Sequence, residues 1–148
     1  MKTLHLNTIE SNIGESLGTS DWQIITQEMI DQFATLTGDN QWIHVDTEKA
    51  KHSPFGSTIA HGFFILSFAP KLVAEMIELK GIRLGLNYGF EKVRFISPIP
   101  VNSEIRMSAT LTAIERDEVK VKATMQLVFE IKDHEKPAIV AEWLNVFM

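Results

Sequence analysis

The chain has 148 residues, 45% of them hydrophobic, with a formal net charge of −5 and no cysteine. This composition describes a single globular domain, residues 1–148, able to bury roughly 68–70% of the surface its unfolded chain would expose, and it excludes a disordered segment. The acidic balance, with Lys and Arg scattered, offers no field for nucleic acid, and the lack of Cys removes disulfides, thiol nucleophiles and zinc–thiolate sites. The opening Met1-Lys2-Thr3-Leu4-His5 lacks the apolar run of a signal peptide, and no stretch is long enough to span a bilayer, so a cytoplasmic protein is expected.

Met1 to Ser20 shows little periodicity and is expected to be loop with one short strand. Thr26 reads as an N-cap, Met29, Ile30, Phe33 and Leu36 recur at helical spacing, and Gly38 suits the stop of a short amphipathic helix. Asp39 then stands where the helix dipole presents partial negative charge, a placement that costs a few tenths to about 1 kcal/mol. A residue set against local preference raises a functional question, although Gly38-Asp39-Asn40 also reads as a plain turn. Asp46 is an N-cap for a helix running to about His52, which Pro54 ends. His44 is thus expected on an extended link between two helices, where a half-buried, satisfied imidazole is the ordinary reading.

Ala60 to Lys80 reads as one long helix, about 30 Å at 1.5 Å per residue, around which the rest of the chain is organised. It is apolar nearly all round, apart from a narrow stripe of Ser67, Lys71, Glu75 and Glu78, and a kink is expected at Pro70. Its N-terminal end offers free N–H groups to a developing negative charge, and Gly62 has no side chain to block approach. That reading requires the helix to begin near His61, because a start at Thr58 would bond the Gly62 N–H to the Thr58 carbonyl. His61 itself also reads as a capping or packing residue.

After Gly81 the period changes to two. Ile82 to Ile96, interrupted by Gly85 and Gly89, reads as a long bent strand with bulges. Ile105, Met107, Ala109 and Leu111 alternate with polar residues, a turn falls at Arg116-Asp117-Glu118, and Val119 to Ile131 alternates again, which describes a half-buried hairpin. Ala138 to Met148 is a final strand. The whole is an α+β arrangement in which an antiparallel sheet covers a central helix.

Thr37-Gly38-Asp39-Asn40-Gln41-Trp42-Ile43-His44-Val45-Asp46, Ser53-Pro54-Phe55-Gly56, Ile59-Ala60-His61-Gly62-Phe63, Leu86-Asn87-Tyr88-Gly89 and Val93-Arg94-Phe95 together resemble the MaoC-like dehydratases. They resemble most the nodulation-protein-N-like branch, which includes single-domain (R)-specific enoyl-CoA hydratases. Gln41-Trp42 stands where many members of the wider family carry Asn-Pro, and the narrower branch shares it. Pro70 stands where some hydratases carry a small polar residue. The resemblance implies a hotdog fold, with an antiparallel β-sheet wrapped around a long central α-helix, and a homodimer whose sheets join edge to edge.

The activity it implies is addition of water to a trans-2-enoyl-CoA to give the (R)-3-hydroxyacyl-CoA, or the reverse dehydration. Asp39 and His44 would hold the water, with Asp39 as base, and the Gly62 N–H would stabilise the enolate-like thioester oxygen. His61, Ser67 and Asn87 are candidates for binding the substrate. No cofactor is implied, coenzyme A being part of the substrate, and an acyl-carrier-protein thioester is the other carrier. Lys49, Lys51, Lys80, Arg83, Lys92 and Arg94 are candidates for carrier phosphates. No metal is expected, since the histidines and acids show no ligand spacing. A hotdog thioesterase would place an acid early on the helix, whereas the first one there is Glu75. The remaining alternative is a non-catalytic protein that binds acyl thioesters.

Overall fold

A short strand, β1 (Lys2–His5), opens the computed structural model, which describes all 148 residues, and a 3-10 segment (Leu6–Asn12) follows it. Two more strands, β2 (Ser16–Thr19) and β3 (Gln23–Ile24), lead into helix α1 (Gln27–Thr37). The first twenty residues are therefore more ordered than their weak periodicity suggested. Thr26 caps α1 as expected, its hydroxyl accepting from the Met29 N–H at 3.3 Å. Two helical turns come next, α2 (Trp42–Val45) and α3 (Thr47–Ala50), the second capped by Asp46 through the Lys49 N–H at 2.9 Å.

The expected single helix from Ala60 to Lys80 is instead two, α4 (Gly62–Leu66) and α5 (Ala69–Met76). At the break the Ser67 N–H is shared between the Phe63 and Phe64 carbonyls at 3.0 and 3.2 Å, and the Ser67 hydroxyl donates to the Phe64 carbonyl at 2.6 Å. These short-range bonds tighten the turn and stop α4. Pro70 lies in the first turn of α5, where its missing N–H costs nothing, so the interruption falls upstream of the proline rather than at it. The pair spans Gly62 to Met76, about 22 Å at 1.5 Å per residue.

The far end also differs. Ile77–Lys80 is a strand, β4, which pairs parallel with β1 in the register Lys2↔Ile77 to His5↔Lys80. Pairing with the N-terminal segment satisfies its backbone groups better than another helical turn would. The polar stripe on the helix shrinks to Lys71 and Glu75, 3.2 Å apart, while Glu78 leaves it for β4.

Four long strands complete the chain: β5 (Gly85–Phe95), β6 (Glu104–Arg116), β7 (Val121–Ile131) and β8 (Ile139–Phe147). They form an antiparallel sheet in the order β2-β6-β7-β8-β5, with β3 also on β6. β5 is bent by register irregularities at Asn87/Gly89 and Phe90/Lys92, as the glycine at 89 suggested, whereas Gly85 only begins the strand. The inward residues of β6 and β7, among them Met107, Leu111, Leu127 and Phe129, close over Ile65, Ala69 and Leu72 in one core cluster of 26 buried residues. Ile65 and Leu72 are wholly buried, each contributing about 1.5–3 kcal/mol, and they lie seven residues apart, two turns along the same face. This sheet curled around a helix is the hotdog architecture, with the helix in two pieces. No helix is long and apolar enough to cross a membrane.

Candidate active site

The site is assembled by three segments that leave α1, precede α4, and run between them. Gly38 takes φ 79° and donates its N–H to the Ala34 carbonyl at 2.8 Å, so α1 stops and Asp39 emerges at the surface. His44 lies within the helical turn α2, not on an extended link, and is buried. Residues Thr58 to Ala60 run extended beside Ile99 to Val101, through Ala60 N–H to Ile99 O at 2.8 Å and Val101 N–H to Thr58 O at 2.9 Å. The Ile59 N–H donates to the Ile43 carbonyl at 3.0 Å, which seats α2 against this segment.

Both imidazoles are oriented by backbone carbonyls. His44 Nδ1 lies 2.7 Å from the Ile59 carbonyl, so it carries the proton and donates, leaving the lone pair on Nε2. His61 Nε2 donates to the Asp39 carbonyl at 3.0 Å, leaving its buried Nδ1 without a partner. The rings stack with centroids 3.8 Å apart and planes inclined by 25°. Burial pushes the His44 pKa below the ordinary histidine value; the neighbouring His61 acts in the same direction, while the Ile59 hydrogen bond and the Asp39 charge oppose it. His44 is therefore neutral at pH 7, with an accepting nitrogen.

Ligating atoms of Asp39, His44 and His61 lie within 4.8 Å of one another. Two hydrogen bonds of about 2.8 Å meeting at one water reach just under 5 Å, so these atoms lie within the span of a single bridging water. Rings stacked face to face aim their in-plane lone pairs side by side rather than at a common point, which suits a shared water better than a metal ion bound by both.

Helix α4 begins at Gly62, and the Thr58 carbonyl is occupied by the Val101 N–H, so the condition for a free Gly62 N–H is met. A Cβ on Gly62 would lie 2.6 Å from two atoms of the Phe95 ring, so any other residue here must displace that ring. His44, Gly62, Phe63, Phe95 and Ile99 line a cavity of about 460 Å³, within the usual range for a small-molecule site.

The expected site residues fall into two groups. Asp39, His44, His61 and Gly62 come together. Ser67 and Asn87 lie further along, lining a cavity of about 280 Å³ with Phe63 and Pro70. Phe63 lines both spaces. Ser67 directs its hydroxyl back to its own helix, and Asn87 accepts from the Trp143 indole N–H at 2.8 Å. The second cavity shares Pro70, Asn87 and Trp143 with a third, mostly apolar space of about 460 Å³ between α5 and the sheet. The candidate basic residues do not gather: Lys49 lies over the Trp42 ring at 4.6 Å, and Lys51 and Lys80 pair with Glu48 and Glu78.

Gln27 escaped the sequence reading. Its amide donates to the His44 carbonyl at 2.8 Å, and its oxygen accepts from the hydroxyl of Thr58, which is almost wholly buried. This one side chain ties α1, α2 and the extended segment together. Nothing distinguishes it in the sequence from any exposed glutamine in a first helical turn. Phe95, whose ring packs on Gly62, was legible as part of a strand and of the Val93-Arg94-Phe95 segment, not as a wall of the site.

The family model described as "MaoC like domain" matches residues 8–131. The chain is 48% identical over 130 residues to 3-hydroxyacyl-thioester dehydratase Z of Mycobacterium tuberculosis, covering 87% of this chain and 86% of that protein. It is 38% identical over 149 residues to nodulation protein N of Rhizobium leguminosarum bv. viciae, covering 99% and 92% respectively. In fold it is similar to the (R)-hydratase from A. caviae involved in PHA biosynthesis, with a TM-score of 0.75 at 22% identity, covering 90% of this chain and 94% of that one. With the family model spanning most of the chain and both relatives aligned over most of their own lengths, the protein belongs to the MaoC-like dehydratases, a family of hydro-lyases with the hotdog fold.

Proposed function

We propose that the protein adds water across the double bond of a trans-2-enoyl-CoA to give the (R)-3-hydroxyacyl-CoA, or catalyses the reverse dehydration. The observation that carries this reading is the pairing of neutral His44, its Nε2 left free by the Ile59 carbonyl, with Asp39 within the span of a single bridging water. His44 orients the water and exchanges its proton, and Asp39 takes a proton as the oxygen attacks the β-carbon. The electron pair of the double bond moves toward the thioester, and its carbonyl oxygen gathers charge at the Gly62 N–H, a donor worth about 3–4 kcal/mol where such groups have been removed from enzymes. A proton then reaches the α-carbon, so one water is consumed, its hydroxyl on the β-carbon and a hydrogen on the α-carbon.

The acyl chain runs from Gly62 over Phe63, past Ser67 and Asn87, toward the apolar space beyond Pro70. The reaction needs no cofactor beyond the coenzyme A or acyl carrier protein that bears the substrate, and it belongs in the cytoplasm. The homodimer is supported by β5, an eleven-residue strand at the edge of the sheet that exposes Leu86, Tyr88 and Phe95. Loss of the conjugated-enoyl absorbance of crotonyl-CoA is the test, run beside Asp39→Asn and His44→Ala. Both variants are expected to lose at least about 10²-fold in kcat/KM with folding intact. A protein that hydrates neither crotonyl-CoA, a longer enoyl-CoA nor an acyl-carrier-protein thioester is an acyl-binding protein instead.

A further inference from the structure

The apolar space beyond Pro70 has one feature its lining does not explain. Asn145 is 6% exposed, lies on β8 between Trp143 and Phe147, and shares with them the face that lines this cavity. Its amide nitrogen is buried and has no hydrogen-bond partner. Its cross-strand neighbours are Ala123, which offers no polar group, and Asn87, whose oxygen is already taken by the Trp143 indole N–H. One amide N–H, that of Asn145, is buried against an apolar cavity and finds no acceptor.

We infer that this cavity selects acyl chains that carry an oxygen, a keto or hydroxyl group, in their distal half, received by the amide of Asn145 with Asn87 beside it. The inference rests on the hydratase reading for the position of the thioester and deepens it by naming the class of acyl group. A buried donor left unpaired is costly, and an acceptor on the ligand removes that cost, whereas a plain alkyl chain leaves it in place. A site built to hydrogen-bond a substrate oxygen discriminates against the analogue that lacks it. The helical path from Gly62 to Pro70 is about 12 Å. A chain advancing about 1.2 Å per bond, as an extended backbone does, covers that in roughly ten bonds. The oxygen belongs near the far end of a medium-length chain.

The experiment is calorimetric titration of the wild-type protein with decanoyl-CoA and with congeners bearing a single keto or hydroxyl group walked along the distal half, repeated on Asn145→Leu and Asn145→Ala. At least one congener is expected to bind the wild-type protein about fivefold or more tighter than decanoyl-CoA, and the ratio is expected to fall to about one in either variant that folds. A wild-type protein that binds no congener more tightly than decanoyl-CoA, or a preference that survives in the variants, overturns the inference and leaves the amide to a buried water. The comparison within the wild-type protein stands without any variant. Binding is read separately from turnover of trans-2-decenoyl-CoA: absent turnover with a retained preference defeats the hydratase reading alone, and turnover without a preference defeats the inference alone.

Discussion

Replacing Gly62 by alanine separates the geometry of the site from the stability of the fold. The new Cβ meets the Phe95 ring at 2.6 Å, and ordinary contact begins near 3.4 Å, so ring or helix must give by about 0.8 Å. Phe95 is 49% exposed on the edge strand and leans edge-on against Phe63, with centroids 5.7 Å apart, so the ring yields more readily than the backbone. Crowding costs about 1–3 kcal/mol where nothing relaxes, and alanine recovers up to about 1 kcal/mol of helix propensity over glycine. The net change in stability is therefore within about 1–2 kcal/mol, a Tm shift of a few degrees for a chain of this size. Activity is far more exposed. The Gly62 N–H remains, but a group displaced by about 1 Å at a reacting centre costs on the order of 10²-fold. Gly62→Ala is expected to fold, to melt within a few degrees of wild type, and to lose about 10²-fold in kcat/KM with crotonyl-CoA. Phe95→Leu added to it should return part of that loss by restoring room. A Gly62→Ala protein with wild-type kcat/KM would refute the role given to the Gly62 N–H as the donor to the thioester oxygen.

Four other outcomes follow from the same structure. Because burial holds His44 below the ordinary 6.5, kcat/KM should stay level as pH falls through 6.5 and drop only lower, as Nε2 takes its proton. The unfolded chain protonates this histidine near 6.5 and the folded one only below, so its contribution to stability is complete above about 6.5 and is lost as pH falls through the folded pKa; His44→Asn should remove that slope from a series of melting curves. Gln27→Leu strands the Thr58 hydroxyl and the His44 carbonyl at once, at about 2–4 kcal/mol together, and differential scanning calorimetry should show Tm lowered by roughly 5–12 °C. Gly38→Ala meets no neighbour within 4 Å, so its cost is conformational alone, about 1 kcal/mol from φ 79°; denaturant unfolding should show that loss, and Gly38→Asn should recover part of it.

What the sequence revealed was what short-range chemistry governs. Thr26 and Gly38 bound α1 as cap and stop, the alternation in β6 and β7 marks the faces they bury, and Asp39 and His44 stand close in sequence and close in space. The break at Ser67 was hidden, because Ser67 falls at helical spacing with Lys71 and Glu75 and reads as part of one polar stripe, whereas its hydroxyl turns onto the Phe64 carbonyl where α4 ends. β4 was hidden for a different reason: Ile77 to Lys80 is a good helical continuation locally, and only the distant Lys2 to His5 makes it a strand. Gln27 and the tautomers of the two histidines depend on partners brought in by the tertiary fold, which no periodicity encodes.

The parallel pair of β1 and β4 has a consequence for how the molecule comes together and opens. Leu4 on one strand and Ile77 and Leu79 on the other form a wall of the apolar space that holds Asn145. Four residue pairs joined across most of half the chain make a ribbon that is marginal by itself and that closes only after α5 has docked on the main sheet. A ribbon of four pairs has less to hold it than β6, β7 and β8 have. Opening this wall uncovers the apolar space and leaves the hydrogen bonds of β6, β7 and β8 untouched.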